Sequence, residues 1–364
     1  MAPIADKNQI LVAAGNSYIQ NANWYYSSFD TVTHIYSTVC DEECNICGET
    51  RVVNNHESDA GTVTEKATYT ATGIMVYKCT ICGEVLETEE IPQLKPATPN
   101  LTKVVNTASG AQITWGASEG ADNYTVYRRS YNATTKQWSG WSKLKEGTTS
   151  TYYLDETVKS GTYYRYTVRA TNEGGISGYN TSGLKTYFLS IPKATTANSN
   201  SGVTVKWGKV TGATGYIVYR KTGNGGWQNL GKTTSTSFTD KTAKAGVTYK
   251  YTVKAYYSSY FSAYNTNGYT VRRLTTPSLK SVTSAKAGVT FTWNKVTGAT
   301  GYIVYRKTGN GGWVKLATVT GNSKVSYLDK TAKKGTTYTY TVKAYYGTST
   351  SAYNTKGLTI KDKY

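Results

Sequence analysis

The feature that most constrains the fold is a repeat in the second half of the chain. Residues 215–227 recur without a change at 301–313, which is 86 residues later. A diverged copy, residues 123–128, lies 92 residues before the first of these segments. Self-similarity at a nearly fixed period is the signature of a structural unit used several times. The sequence therefore predicts three copies of one module.

Each copy contains the same series of strand-like segments. One segment closes on a tryptophan, a later one reads Tyr-x-Tyr-Thr-Val-(Arg/Lys)-Ala, and a Tyr-Asn-Thr-x-Gly motif follows. Apolar and polar residues alternate within them, which is the pattern of a half-buried strand and not of a helix. The tryptophans and the first tyrosine of each motif are Trp115, Trp207, Trp293, Tyr164, Tyr249, Tyr338, Tyr179, Tyr264 and Tyr353.

These repeats resemble fibronectin type III modules, on the tryptophan, the Tyr-x-Val-Tyr-Arg segment and the later tyrosine-rich strand. In that family a tyrosine near the start of the sixth strand bonds the backbone a few residues upstream, and Tyr164, Tyr249 and Tyr338 match it. The resemblance implies an all-β fold with three tandem seven-strand antiparallel β-sandwiches. We assign them to residues 96–188, 189–274 and 275–364 and call them modules 1, 2 and 3.

Composition argues against catalysis in these modules. The chain has only two histidines, His34 and His56, so the many serine and threonine hydroxyls of the modules lack their usual activating base. The mean hydropathy is −0.48, and no apolar run approaches the length of a transmembrane helix. We therefore expect a protein that is not an enzyme and has no membrane span.

All five cysteines lie between residues 40 and 95. Two Cys-x-x-Cys-Gly motifs, at Cys44 and Cys47 and at Cys79 and Cys82, have the spacing that lets paired thiolates bind one tetrahedral ion. The sequence predicts a structural zinc site on these four thiolates, in a small zinc-ribbon-like β module of residues 40–95. Its hairpin is expected to pair strands at 68–72 and 75–78. Residues 1–39 receive no assignment.

Other interpretations of the cysteines stay open. Four cysteines beside secreted-type modules also fit two disulfides, and a redox Cys-x-x-Cys is a third alternative. The run from His34 to His56 resembles a Cys/His-rich repeat in surface proteins of gut Firmicutes. Tyr69 stands where the repeat has a further cysteine, which puts a disulfide to Cys40 in doubt. This departure leaves Cys40 and His56 as alternative metal ligands, in a set with Cys44 and Cys47.

Charge divides the chain into two parts. Residues 1–95 hold 5 basic and 13 acidic side chains, a net charge of −8, whereas residues 96–364 hold 36 and 9, a net charge of +27. An array this basic attracts polyanions with low specificity and in a salt-dependent way. A solvated face of lysines, without a binding partner, is the alternative explanation of the charge. Because no RNA-binding motif is present, no specific nucleic-acid partner is expected.

Aromatic residues outside the family positions are candidates for ligand binding. Loop tyrosines and tryptophans contact protein or sugar surfaces at little entropic cost. Packing is the alternative for each, with Tyr256 and Tyr345 ending a strand and both tryptophans covering a sandwich edge. The candidates are Tyr256, Tyr257, Tyr260, Phe261, Tyr345, Tyr346, Trp227 and Trp313.

The sequence as a whole predicts a non-catalytic, adhesin-like binding protein of the bacterial cell surface or extracellular space. It would contact an extracellular protein or glycan through module loops and the basic face, with a cell-wall polyanion as one partner. The resemblance to gut-Firmicutes surface proteins adds host immunoglobulin or mucin. Two alternatives remain: a structural spacer that displays another domain, and an accessory region of a secreted carbohydrate- or wall-degrading enzyme.

Overall fold

The computed structural model describes residues 56–364, and every regular element in that range is a β-strand. The predicted all-β fold is confirmed. Across this described part of the chain, no helix has the length and apolar character needed to span a membrane. The segment 1–39 and the predicted ligands Cys40, Cys44 and Cys47 lie outside the described residues.

A small antiparallel sheet precedes the sandwiches. It has the order β1-β2-β3, with β1 at Thr62–Glu65, β2 at Gly73–Lys78 and β3 at Val85–Ile91. The predicted strand at 68–72 was wrong. These residues form a turn instead. The hydroxyl oxygen of Thr68 accepts hydrogen bonds from the backbone amides of Thr70 and Ala71, which stabilises the turn.

Module 1 is a sandwich of two antiparallel sheets. One sheet has three strands in the order β4-β5-β9, and the other has the order β8-β6-β10-β12, extended by the short strands β7 and β11. The strands are β4 (Leu101–Asn106), β5 (Ala111–Trp115), β6 (Asn123–Asn132), β7 (Gln137–Trp138), β8 (Ser142–Thr148), β9 (Tyr152–Asp155), β10 (Thr162–Asn172), β11 (Gly175–Ile176) and β12 (Leu184–Phe188).

Modules 2 and 3 repeat this arrangement. Their three-stranded sheets have the orders β13-β14-β17 and β21-β22-β25, and their larger sheets β16-β15-β18-β20 and β24-β23-β26-β28. The short strands β19 and β27 pair with β18 and β26. In module 2 the strands are β13 (Ala194–Ser199), β14 (Gly202–Trp207), β15 (Gly215–Thr222), β16 (Gln228–Thr233), β17 (Ser237–Asp240), β18 (Thr248–Tyr257), β19 (Tyr260–Phe261) and β20 (Tyr269–Arg272). In module 3 they are β21 (Leu279–Ala285), β22 (Gly288–Trp293), β23 (Gly301–Thr308), β24 (Val314–Thr320), β25 (Ser326–Asp329), β26 (Thr337–Tyr346), β27 (Ser349–Thr350) and β28 (Leu358–Lys361).

The core of each sandwich lies between its two sheets. The tryptophan that ends the second strand packs edge-on against a tyrosine of the third, with Trp293 and Tyr302 at a ring-centroid distance of 5.3 Å. The predicted backbone bond of the later tyrosine is confirmed in all three modules. The amides of Lys159, Lys244 and Lys333 donate to the hydroxyl oxygens of the tyrosines five residues further on, at 2.8, 3.0 and 3.1 Å.

Each core also contains a buried carboxylate at an equivalent position. In module 2 the carboxylate of Asp240 accepts hydrogen bonds from the Arg220 guanidinium at 2.8 Å and from the hydroxyls of Tyr251 and Thr242 at 2.7 Å. Burial raises the pKa of this carboxyl, but the hydrogen bonds outweigh burial and lower it overall. Asp155 and Asp329 occupy the same positions with the same kinds of partner.

Candidate functional site

Three side chains with metal-binding atoms meet beside the small sheet. The ligand atoms of His56, Cys79 and Cys82 all lie within 4.8 Å of one another, with 3.6 Å between His56 Nδ1 and Cys82 Sγ. Cys79 is buried and Cys82 is exposed. Elsewhere in residues 56–364, no other three His, Cys, Asp or Glu side chains gather in this way.

The backbone around Cys79 explains why this cluster forms. The amide of Ile81 donates to Cys79 Sγ at 3.4 Å, and the amide of Gly83 donates to the carbonyl of Cys79 at 2.9 Å. Gly83 has φ +77°, a conformation that favours glycine and closes the turn after Cys82. The amide of Thr80 donates to the carbonyl of Glu57, which places the preceding residue, His56, beside the turn.

A carboxylate faces the other nitrogen of the histidine. Glu84 Oε2 lies 3.5 Å from His56 Nε2. A carboxylate in this position favours the proton on Nε2 and leaves the lone pair of Nδ1 directed toward the thiols. A neutral imidazole with two thiolates is a ligand set that suits a tetrahedral zinc ion. The four-thiolate set stays a prediction, because two of its members lie outside the described residues; the structure adds His56 to Cys79 and Cys82.

The modules meet through equivalent asparagines, which sequence reasoning did not single out. At the end of β4, Asn106 Nδ2 donates to the carbonyl of Tyr187 in module 1 and to that of Phe261 in module 2, at 2.9 and 3.0 Å. At the end of β13, Asn198 Nδ2 donates to the carbonyls of Arg272 and Thr350, again at 2.9 and 3.0 Å. We call these contacts the 1–2 joint and the 2–3 joint.

Two of the candidate loop tyrosines lie in the 1–2 joint. The rings of Tyr257 and Tyr260 pack against Tyr163 and Tyr187 of module 1, with centroid distances from 4.4 to 6.1 Å. Burial, together with a hydrogen bond to Tyr257, raises the pKa of Tyr163 to about 12. The four rings fix the two modules against each other. A role for Tyr257 and Tyr260 in ligand binding stays a prediction.

The other loop aromatics are divided between the joints and the module surfaces. Tyr346 is 41% exposed and lies under the Arg272 guanidinium at 4.3 Å, within the 2–3 joint. Phe261 is 45% exposed and contributes its backbone carbonyl to the 1–2 joint. Tyr256 and Tyr345 lie one residue before the ends of β18 and β26. They cover Gly215 and Gly301 respectively, where an added Cβ would come within 2.7 Å of the tyrosine ring or hydroxyl.

The two candidate tryptophans are half-buried and pack against the Tyr-Asn-Thr-x-Gly motif. Trp227 lies edge-on to Tyr264, and Trp313 to Tyr353, at centroid distances of 6.1 and 6.0 Å. The asparagine side chain accepts a backbone amide two residues on, and the glycine adopts positive φ beneath the tryptophan ring. Module 1 has the equivalent pair in Trp141 and Tyr179.

Comparison with known proteins finds similarity to a curated protein and to solved structures. No family model matches the sequence. The chain is 30% identical over 275 residues to Exoglucanase B of Cellulomonas fimi; the match covers 66% of this chain but 23% of the exoglucanase, so the chain spans under a quarter of that relative. The crystal structure of the chicken CNTN1 FN1–FN3 domains is 18% identical with a TM-score of 0.28, and the likeness covers 74% of this chain and 99% of that one. The strand order of each sandwich is that of a fibronectin type III-like fold.

Proposed function

We propose that the chain is a stiff, non-catalytic accessory region of an extracellular bacterial protein. Its three sandwiches hold the Cys/His-containing sheet and any neighbouring domain at a set spacing. The main support is that the same contact occurs at both joints. Asn106 and Asn198 each donate hydrogen bonds to one backbone carbonyl of their own module and to one of the next module. Because bending a joint breaks these bonds and separates its packed side chains, the array resists bending.

The similarity to Exoglucanase B supports an accessory function of this kind, since it covers only part of an enzyme's length. The absence of histidine from residues 57–364 supports modules without serine–histidine chemistry. An adhesin-like function, a host immunoglobulin or mucin partner and an origin in gut Firmicutes remain predictions.

In this function the metal is structural zinc. Zinc held by His56, Cys79 and Cys82, with a further donor from the chain, would stabilise a sheet that has almost no hydrophobic core. Protein purified without chelator is expected to contain about one equivalent of zinc per chain. Less than about half an equivalent, together with about one titratable thiol per chain or fewer, would favour the disulfide alternative, because two disulfides among five cysteines leave one thiol.

Small-angle X-ray scattering of the full chain tests the stiffness. We expect the unaltered protein to give a pair-distance distribution with resolved inter-module maxima. The double variant Asn106→Ala/Asn198→Ala is expected to blur those maxima, because both bridging amides are gone. The matched control is Asn224→Ala/Asn310→Ala, two exposed loop asparagines that lie 86 residues apart.

Two results would overturn the proposal. One is scattering from the unaltered chain that fits freely jointed modules. The other is a distribution that stays the same in the joint variant, since the asparagines would then carry none of the stiffness.

A further inference from the structure

The two joints enclose clefts of the same construction. The cleft at the 1–2 joint has a volume of about 540 Å³, and the cleft at the 2–3 joint about 600 Å³. One wall of each cleft is the end of the first strand of the earlier module, at Asn106 or Asn198. The other wall is the hairpin of the later module, at 259–264 or 348–353. We call them the joint clefts.

A lysine and a tyrosine border each joint cleft in equivalent positions. Lys254 Nζ lies 5.0 Å from the ring centroid of Tyr264, and Lys343 Nζ lies 5.0 Å from that of Tyr353. These are the tyrosines that pack against the tryptophans of the Tyr-Asn-Thr-x-Gly motif. All of these side chains are half-buried, so each presents part of its surface to solvent.

Within residues 56–364, no carboxylate opposes these lysines. Module 2 has 12 basic side chains and one acidic, and module 3 has 14 and two. The three acidic residues are Asp240, Asp329 and Asp362, which are 3%, 0% and 3% exposed. Their charges are therefore withdrawn from the surface, and neither cleft is lined by Asp or Glu. The exposed side chains of both modules are cationic or neutral, which creates a positive potential at the clefts.

We propose that the joint clefts bind an anionic polysaccharide. An acidic group of the polysaccharide lies against Lys254 or Lys343, and a sugar ring lies against the exposed part of Tyr264 or Tyr353. The serine, threonine and asparagine side chains that line the clefts supply neutral donors and acceptors for sugar hydroxyls. Because the two clefts belong to one chain, a long ligand gains avidity by occupying both. This binding activity goes beyond the spacing function.

Binding by the full chain to defined polymers tests the proposal. Dextran sulfate is a sulfated polysaccharide and polygalacturonate a carboxylated one. Neutral dextran is the control without charge, and single-stranded poly(dT) is the control polyanion that is not a polysaccharide. The test variant is Lys254→Gln/Lys343→Gln. The matched control is Lys209→Gln/Lys295→Gln, which removes the same charge from two exposed lysines 86 residues apart and outside both clefts.

We expect saturable binding of at least one of the two anionic polysaccharides at about 0.15 M salt, and none of neutral dextran. The cleft variant should bind about ten-fold more weakly or worse, and the control less than about three-fold. Tyr264→Leu/Tyr353→Leu should also weaken binding, with thermal unfolding recorded to show that each variant is folded.

Equal losses in the cleft variant and its control would overturn the proposal, because they would indicate diffuse attraction by the whole surface. Tighter binding of poly(dT), lost in the same cleft variant, would overturn it in favour of a nucleic-acid site.

Discussion

Residues 56–95 and the three sandwiches are all made of antiparallel strands, yet their interiors differ. In each sandwich two sheets enclose a cluster of aromatic and aliphatic side chains, including fully buried valines and a tryptophan that is almost fully buried. In residues 56–95 only Gly73 and Cys79 are buried, and β1 is exposed along its whole length.

The difference shows two ways of stabilising a β-sheet. A sandwich removes enough apolar surface from water to offset the entropy of ordering its chain. A single small sheet with one face uncovered does not, and such regions depend on a metal or a crosslink. The cluster of His56, Cys79 and Cys82 lies where that dependence is expected.

The largest predicted effect follows from removing one of the proposed metal ligands. We expect Cys82→Ser to abolish binding of the proposed zinc ion and amide protection across 62–91, because structural zinc contributes on the order of 10 kcal/mol in small domains. Protection in the sandwiches is expected to stay the same. Metal analysis and hydrogen exchange with mass spectrometry measure both results.

Val85→Ser is the control for this change, since Val85 is 53% exposed in the same sheet and contributes no metal-binding atom. It is expected to keep both metal and protection. A Cys82→Ser protein that keeps both would contradict the assigned stabilisation.

The second prediction concerns the core of a sandwich. Asp240→Ala is expected to destabilise module 2 by about 3–5 kcal/mol, because Arg220 and the hydroxyl of Tyr251 lose their buried partner. Exchange should accelerate in module 2 while residues 56–95 and the other sandwiches keep their protection. The control Lys241→Ala, at an exposed neighbour, should cost less than about 0.5 kcal/mol. An equal cost in both variants would contradict a structural role for the carboxylate.

The sandwich fold could be predicted from the sequence because the pattern that indicates it lies within short segments of the chain. Alternation within strands and the repeated tryptophans and tyrosines directly predict which side chains face the core. The buried carboxylates were missed, although an Asp-x-Thr segment recurs at Asp155, Asp240 and Asp329. That repetition was the available signal, but pairing with an arginine of another strand depends on register, which the segment alone does not specify.

The Cys/His cluster and the joints were harder to predict, because both depend on contacts between distant parts of the chain. His56 approaches Cys79 only because Glu57 and Thr80 pair through their backbones. Tyr257 and Tyr260 belong to a joint because module 2 is oriented toward Tyr163 and Tyr187. Neither relation leaves a periodic trace in the sequence, since relative module orientation is set by a few side chains at the joints.

The third prediction is that acid destabilises the sandwiches by protonating their buried carboxylates. The pKa values of Asp155, Asp240 and Asp329 are lowered, because their hydrogen bonds outweigh the opposing effect of burial. Each carboxylate therefore stabilises its sandwich fully above the unfolded pKa, near 3.8, and loses that contribution as pH falls through the lower folded value. Urea unfolding followed at about pH 6, 4 and 2.5 should show this loss.

The variant Asp329→Asn isolates one carboxylate. In this variant the urea midpoint of module 3 should fall less steeply with decreasing pH than the midpoints of modules 1 and 2. If the midpoints of all three modules fell equally steeply with decreasing pH, groups other than these carboxylates would control the acid response.

The smallest predicted effect removes a single oxygen from a sandwich. Tyr249→Phe keeps the ring beneath the Arg220 guanidinium, at 5.0 Å, but deletes the acceptor of the Lys244 amide. We expect a loss of about 1 kcal/mol in module 2, the usual net contribution of one hydrogen bond. Tyr164→Phe and Tyr338→Phe should cost the same in their own modules, whereas Tyr152→Phe, at a 56% exposed position, should cost almost nothing. Chemical denaturation measures the free energies of unfolding. If the three buried changes matched the exposed one, the repeated tyrosine bond would add nothing to the stability that the hydrophobic cores already supply, and the contrast with residues 56–95 would rest on apolar burial alone.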